Sequence, residues 1–305
     1  MTYLCVDGGQ TKTAVVLFED NGVQVHAWQT RPLTTPSGPG AADNLRLMVR
    51  GLAEELRRRL ASSGSPLPLV ACFSLTGYLE GDELVPSIVR EEIRTALPGT
   101  EKIRTVPDYV GNWTAATRGE PGIVVISGGG AVAYGRSASG DSLRVGGWGH
   151  LLGDEGSGYW IGLEAIKATL RSWADITPKT ALEAHVMETL GAEDDRQVLS
   201  RVYSGSFSEA EIADLVPLVA SLARDGDESS HRIIEEAAYY LASMAETVQK
   251  RLGELPIYLS GGVFSAATMP ERFERLLADL GGETQVMTVV SDPLDGVFLI
   301  AKEGL

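Results

Sequence analysis

The chain has 305 residues, 44% of them apolar, a length suited to two domains and without an apolar run that would span a membrane. A formal net charge of −15 and a pI near 4.7 give a field that repels nucleic acid and anionic lipid, which sets both aside as partners. Cys5 and Cys72 are the only cysteines, each inside an apolar strand-like run and without metal-site spacing; they read as reduced core thiols, and the absence of a signal-peptide pattern in MTYLCVDGG adds to the expectation of a cytoplasmic protein.

Short strands are expected at Tyr3–Val6, Thr13–Phe18 and Val23–Trp28, joined by turn formers into an antiparallel meander. Leu45, Met48, Leu52, Leu56 and Leu60 then recur at helical spacing. A strand at Leu69–Leu75, a helix at Glu83–Leu97 and a strand at Lys102–Val106 follow, and Asp108 stands between that strand and a helix over Tyr109–Arg118. The second half opens with strands at Gly122–Ile126, Ala131–Arg136 and Ser142–Val145. Helix covers roughly residues 157 to 250, broken by polar loops near Pro178 and Asp225-Gly226. Ile257–Leu259 and Val286–Val290 read as strands, Met269–Leu280 and Leu294–Lys302 as helices.

The two halves echo each other. YLCVDGGQTKTAVV and GIVVISGGGAVAYG both run apolar strand, Gly-Gly turn, return strand, and both continue into alternating helix and strand. A unit used twice predicts a duplicated α/β architecture of two domains, with ligands in a cleft at the strand ends where the glycine turns lie.

Glycine-rich turns let backbone approach a ligand and expose amides to an anion. Asp7-Gly8-Gly9-Gln10-Thr11-Lys12 and Ser127-Gly128-Gly129-Gly130 are such turns at equivalent points of the repeats. Each alone reads as an ordinary hairpin; together they suit a phosphate chain held from both repeats. Asp7, at its strand end, is placed to hold Mg²⁺ through water. Leu259-Ser260-Gly261-Gly262-Val263-Phe264 would let a flat ring lie against backbone. Asp108 reads either as a helix N-cap or as a base that takes a hydroxyl proton in phosphoryl transfer.

The segment RVGGWGHLLGDEGSGYWIG, residues 144–162, packs seven glycines before a helix. Gly146 and Gly147 bring backbone close, while Asp154 and Glu155 offer acceptors for a polyol's hydroxyls. Trp148, Tyr159 and Trp160 carry large apolar area, which predicts an ordered loop; His150 reads as structural, bonded to backbone.

These motifs together resemble the N-acetylglucosamine kinase-like group of the BadF/BadG/BcrA/BcrD ATPase family. GGWGHLLGDEGSGYWIG matches that group's signature, VDGGQTKT and ISGGGAVAYG its phosphate loops, LSGGVF its adenosine segment and VPDYVGNWTAA the stretch around its catalytic aspartate. The resemblance implies a two-domain actin-like ATPase fold, a duplicated ribonuclease H-like α/β unit with an interdomain cleft. It also implies domains of 1–107 plus 291–305 and of 108–290, the second with a helical insertion. By matching positions, Asp108 would be catalytic. Gly8, Gly9, Gln10, Thr11, Lys12, Gly128, Gly129, Gly130, Gly261 and Gly262 would face ATP. Asp108, Gly146, Gly147, Trp148, Asp154 and Glu155 would face the sugar. The implied reaction is Mg²⁺- and ATP-dependent phosphorylation of an amino sugar's primary hydroxyl, most simply that of N-acetylglucosamine, by a protein that the likeness allows to be a homodimer.

Two departures stand out. The family's second loop reads SGTGS where this chain has SGGGA, so hydroxyls at positions 129 and 131 are missing and only backbone donors remain. An asparagine of the family's N-terminal sugar loop is replaced by Gly38 in TTPSGPGAADN, which puts the identity of the sugar in doubt. A non-catalytic sugar or nucleotide sensor of the same fold therefore stays open. An ATPase activator of a reductase or dehydratase is disfavoured, because such activators ligate an iron–sulfur cluster through cysteines and Cys5 and Cys72 read as buried.

Overall fold

The computed structural model describes residues 1–9, 12–35, 38–64, 67–266, 268–282, 285–288 and 292–304. In chain order the first part runs β1 (Thr2–Gly8), β2 (Thr13–Glu19), β3 (Gln24–Thr30), α1 (Ala41–Ser63), β4 (Val70–Leu75), α2 (Leu84–Ala96), β5 (Lys102–Pro107) and α3 (Asp108–Thr117). The second runs β6 (Gly122–Ser127), β7 (Ala131–Arg136), β8 (Ser142–Gly146), α4 (Gly158–Trp173), α5 (Leu182–Leu190), α6 (Asp195–Tyr203), α7 (Glu209–Ala213), α8 (Val216–Arg224), α9 (Glu228–Leu252), β9 (Ile257–Ser260), α10 (Met269–Asp279), β10 (Val286–Thr288) and α11 (Pro293–Glu303). Each expected strand has a counterpart. The site residues Gln10 and Thr11, and the end of the strand expected to reach Val290, lie outside the described residues.

The chain forms two compact units, residues 1–120 with 291–305, and residues 121–290. Each holds a five-stranded mixed sheet of the same plan. The first is ordered β3-β2-β1-β4-β5 and the second β8-β7-β6-β9-β10. In both, the first three strands form an antiparallel meander and the last two lie parallel to the first. The repeated α/β plan predicted from the glycine-turn echo is present, and it is the sheet topology of the actin-like fold.

In the first unit, strand alternation sorts two cores. Leu4, Val6, Val15, Leu17 and Phe73 pack with α1 and α2 residues such as Leu52, Leu56 and Ile88. Tyr3, Cys5, Val16, Phe18 and Cys72 lie on the other face, covered by Leu294, Val297 and Ile300 of α11. Phe298 adds a stacked contact to Phe18 at 4.6 Å and an edge contact to Tyr3 at 5.4 Å between centroids. Each such buried side chain contributes roughly 1.5–3 kcal/mol relative to exposure. In the second unit one large core joins β6, β7 and β9 to α4, α8, α9 and α10.

The sequence reading begins the second domain at residue 108, whereas the structure keeps α3 with the first unit. The reason is close helix packing. A Cβ on Gly296 of α11 would lie 2.1 Å from the Gly111 carbonyl oxygen and 2.5 Å from the Ala115 amide nitrogen of α3. Gly111 in turn has only 2.7 Å between its Cβ position and the Ser74 hydroxyl. Glycine at both positions lets α3 seat on α11 and on the end of β4, and so fixes where α3 begins.

Gly296→Ala should force α3 and α11 apart and cost about 3 kcal/mol of stability, read as a lower denaturant midpoint; an unchanged midpoint would show that the helices do not depend on this approach.

Candidate active site

Three parallel strands of the first unit end at one level. Gly8 of β1 pairs with Leu75 of β4, and Leu75 pairs with Pro107 of β5. The residues that follow, Gly9, Thr76 and Asp108, therefore emerge side by side. Asp7 and Ser74 are also register partners, on the face covered by α11 and α3.

Asp108 is the first residue of α3, where the helix dipole favours a carboxylate. It accepts from the Thr76 hydroxyl through Oδ2 at 2.8 Å and from the Tyr109 amide through Oδ1 at 2.8 Å. Thr76 is itself held by backbone. Its amide donates to the Gly8 oxygen at 2.9 Å, and its carbonyl accepts from the Thr35 amide at 3.1 Å. Sequence reasoning missed Thr76. The available signal was a Thr-Gly pair at the end of a fully buried strand, a position equivalent to the glycine turns that were singled out.

Asp7 is partly buried, and its carboxyl is raised from the ordinary 3.8 to about 6. Burial is the main cause and the charge of Asp108 the next, with Asp292 adding a smaller push; the nearby Ser74 hydroxyl offsets part of it. Ser74 is fully buried, and its contact with Asp7 falls short of an aligned hydrogen bond, so the hydroxyl is left without a partner among the described residues. A buried carboxylate raised by negative neighbours, beside an orphaned hydroxyl, suits a cation's hydration shell. Among the described residues, no group of three or more His, Cys, Asp or Glu side chains gathers to hold a metal ion directly.

Gly9 donates to the Lys12 oxygen at 3.0 Å, closing the turn between β1 and β2, and Lys12 is exposed. Gly8 is required by packing: a Cβ would lie 2.4 Å from the Leu33 carbonyl oxygen.

In the second unit, Gly128, Gly129 and Gly130 form the turn between β6 and β7. None of the three has a left-handed backbone, and a Cβ on Gly128 or Gly129 would meet open space. Among the described residues, neither packing nor a left-handed conformation demands glycine at those two positions. Ala131, where the family's hydroxyl is missing, is 2% exposed and faces the core. Gly261, at the end of β9, lies against this turn: its φ is +105° and a Cβ would fall 2.2 Å from the Ser127 oxygen. Gly262 has open space and starts a single 3-10 turn, Gly262–Ser265, ahead of α10.

Gly146 and Gly147 have φ of +79° and +66°. Arg144 donates to the carbonyl oxygens of both, at 3.0 and 2.8 Å, and the Gly147 amide donates to the Ala131 oxygen at 2.9 Å. Beyond them, Trp148 is 60% exposed, and Leu151 and Leu152 are also exposed. The tryptophan's apolar area does not anchor this loop as expected; bonds among backbone groups do. His150 contacts Glu209 at 3.5 Å and the Tyr159 ring, in place of a backbone partner. Glu155 is half-buried, while the Asp154 side chain is turned inward toward Gly130. Burial raises the Asp154 carboxyl; the amides of Ala131 and Gly149 oppose that rise.

The profile of the BadF/BadG/BcrA/BcrD ATPase family matches residues 4–298. The chain belongs to this family. An N-acetylmuramic acid/N-acetylglucosamine kinase of Clostridium acetobutylicum is 33% identical over 221 residues, covering 71% of this chain and 72% of that protein. An N-acetyl-D-glucosamine kinase of Dictyostelium discoideum is 28% identical over 98% of this chain and 97% of its own. A solved structure of a candidate N-acetylglucosamine kinase from Chromobacterium violaceum superposes with a TM-score of 0.77 at 22% identity, over 98% of both chains. The family and these relatives imply use of ATP. Among the described residues, no helix is long and apolar enough to cross a membrane.

The Asp7 shift carries a sign. A carboxyl raised in the folded state contributes stability that is fully present below its unfolded value of 3.8 and is lost as pH rises through about 6. Asp7→Asn should therefore stabilise the metal-free protein at pH 7 by on the order of 2 kcal/mol. The gain should vanish near pH 4. Denaturant midpoints at the two pH values check this, and equal differences at both would contradict it.

Proposed function

We propose that the protein is an ATP-dependent sugar kinase that phosphorylates the primary hydroxyl of N-acetylglucosamine or a closely related amino sugar. The observation that carries this reading is Asp108, a carboxylate held by the Thr76 hydroxyl and the Tyr109 amide at the start of α3, in a chain of this ATPase family. The two named relatives support the sugar class.

Asp108 would accept the proton of the sugar hydroxyl as its oxygen attacks the γ-phosphorus. The bond from that phosphorus to the β,γ-bridging oxygen breaks, and ADP leaves. Its two donors fix the direction of the carboxylate, which is what a base in an in-line transfer needs. Gly128, Gly129 and Gly130 would present backbone to the triphosphate, with Gly8, Gly9, Gln10, Thr11 and Lys12 as the first unit's contribution. Gly261 and Gly262 would lie against adenosine. The loop carrying Gly146, Gly147, Trp148, Asp154 and Glu155 would receive the sugar. Mg²⁺, held through water by Asp7, would neutralise phosphate charge, a need that the chain's own charge of −15 makes acute.

The missing hydroxyls at positions 129 and 131 keep a sensor as the second reading. Such a protein would bind sugar or nucleotide without turnover. The activator reading is weaker, because Cys5 and Cys72 are both fully buried on paired strands.

A coupled ADP-release assay over a panel of amino sugars tests the proposal. Sugar-stimulated ADP release by the wild type is expected, falling at least about 10²-fold in Asp108→Asn with nucleotide affinity nearly unchanged. Sugar binding without ADP release would select the sensor, and full activity in the variant would remove Asp108 as base. Thr76→Val should lower kcat by about 10-fold with a smaller effect on the sugar KM, since it loosens the base without removing it. A change in KM alone would place Thr76 in binding.

A further inference from the structure

The turn assigned to phosphate and the loop assigned to sugar are stitched to each other inside the second unit. The Gly158 amide donates to the Gly128 oxygen at 2.8 Å, the Gly147 amide to the Ala131 oxygen at 2.9 Å, and the Ser127 hydroxyl to the Gly156 oxygen at 2.7 Å. At the centre of this seam is Asp154. Its backbone is left-handed, with φ +60°, a conformation that non-glycine residues adopt rarely and at a cost. That conformation turns the carboxylate inward, and the residue is only 9% exposed. Its Oδ2 lies 2.9 Å and its Cγ 3.3 Å from where a Cβ of Gly130 would stand. The third glycine of the turn is thus explained by the carboxylate beneath it, not by a ligand. The amides of Ala131, which follows the turn, and of Gly149, in the middle of the loop, both favour the charged carboxylate.

From this we infer that Asp154 is a positioning residue that props the 128–130 turn against the 146–153 loop, so that nucleotide binding at the turn and sugar binding at the loop strengthen each other. The inference rests on the kinase reading for the identity of the two ligands, and on the seam alone for the linkage. A side chain that only bonded a sugar hydroxyl would face the loop's open side and would leave the turn indifferent to its loss. A strut between the two segments makes the geometry of each depend on the other. Any coupling between two binding sites must be reciprocal.

The experiment measures the affinity of a non-hydrolysable ATP analogue by titration calorimetry, with and without saturating N-acetylglucosamine, for wild type, Asp154→Asn and Asp154→Ala. In the wild type the sugar should tighten the analogue about 5-fold or more. In the variants the analogue alone should bind several-fold more weakly, and the added effect of sugar should fall to near one. Gly130→Ala, which crowds the same carboxylate from the turn's side, should raise the half-saturating sugar concentration although it lies outside the sugar loop; this variant decides the matter where Asp154 substitutions do not fold. The inference is overturned if the analogue's affinity without sugar is unchanged in the Asp154 variants and only sugar affinity falls, or if Gly130→Ala leaves sugar binding alone. Should the wild type bind the analogue but no N-acetylglucosamine, the assigned sugar is wrong, while the sugar-free affinities still report whether Asp154 shapes the turn.

Discussion

The parallel register of β1, β4 and β5 is the constraint on which the first unit's chemistry depends. Gly8, Leu75 and Pro107 sit opposite one another, so the three strands stop together. A shift of one residue in β4 would move Thr76 off Asp108 and place Ser74 on the α1 and α2 side, since side chains alternate between faces. The apolar pattern forbids that slip. Phe73 and Leu75 belong to one core and Cys72 to the other, and a slip would exchange them. The same burial that stabilises the sheet therefore aligns the carboxylates.

Glycine is the second recurrent device, and it answers three different demands. At Gly146 and Gly147 the backbone conformation requires it. At Gly8, Gly111, Gly261 and Gly296 the approach of other backbone or a buried hydroxyl requires it. At Gly128, Gly129 and Gly262 neither applies, and open space remains. The first two classes build the scaffold. Only the third is unexplained by folding, and its members sit on adjacent strand ends, where Ile126 of β6 pairs with Ser260 of β9.

Much of this was legible from residue order. Hairpins announced themselves because an apolar run, a Gly-Gly turn and a second apolar run leave little alternative, and the repeat of that pattern exposed the duplication. Asp108 was visible because it stands between an expected strand and an expected helix, at the end of the first repeat. Other features carried a weaker signal or none. Thr76 and Ser74 are ordinary residues made important by register. Asp154 was noticed as an acidic residue, but its left-handed backbone, and hence the direction of its carboxylate, is a tertiary outcome. Trp148 was expected to anchor its loop through apolar area; the loop is instead fixed by Arg144 and backbone bonds, which lets the ring stay exposed. The unit boundary moved past α3 because the contact between Gly111 and Gly296 joins residues far apart in sequence.

The duplicated plan also shows how two copies of one motif divide labour. By motif, Asp7 of the first turn corresponds to Ser127 of the second. In the first unit that position keeps a carboxylate whose proton affinity is raised by burial first and by negative neighbours second, the kind of site that a cation relieves. In the second it carries a hydroxyl committed to the Gly156 oxygen, which ties the turn to the loop before α4. A hydroxyl in place of a carboxylate leaves the second turn without the negative charge that Asp7 brings to the first. The Ser127 hydroxyl can thereby act as a structural tie, donating to a neighbouring backbone oxygen as an ionised carboxylate cannot.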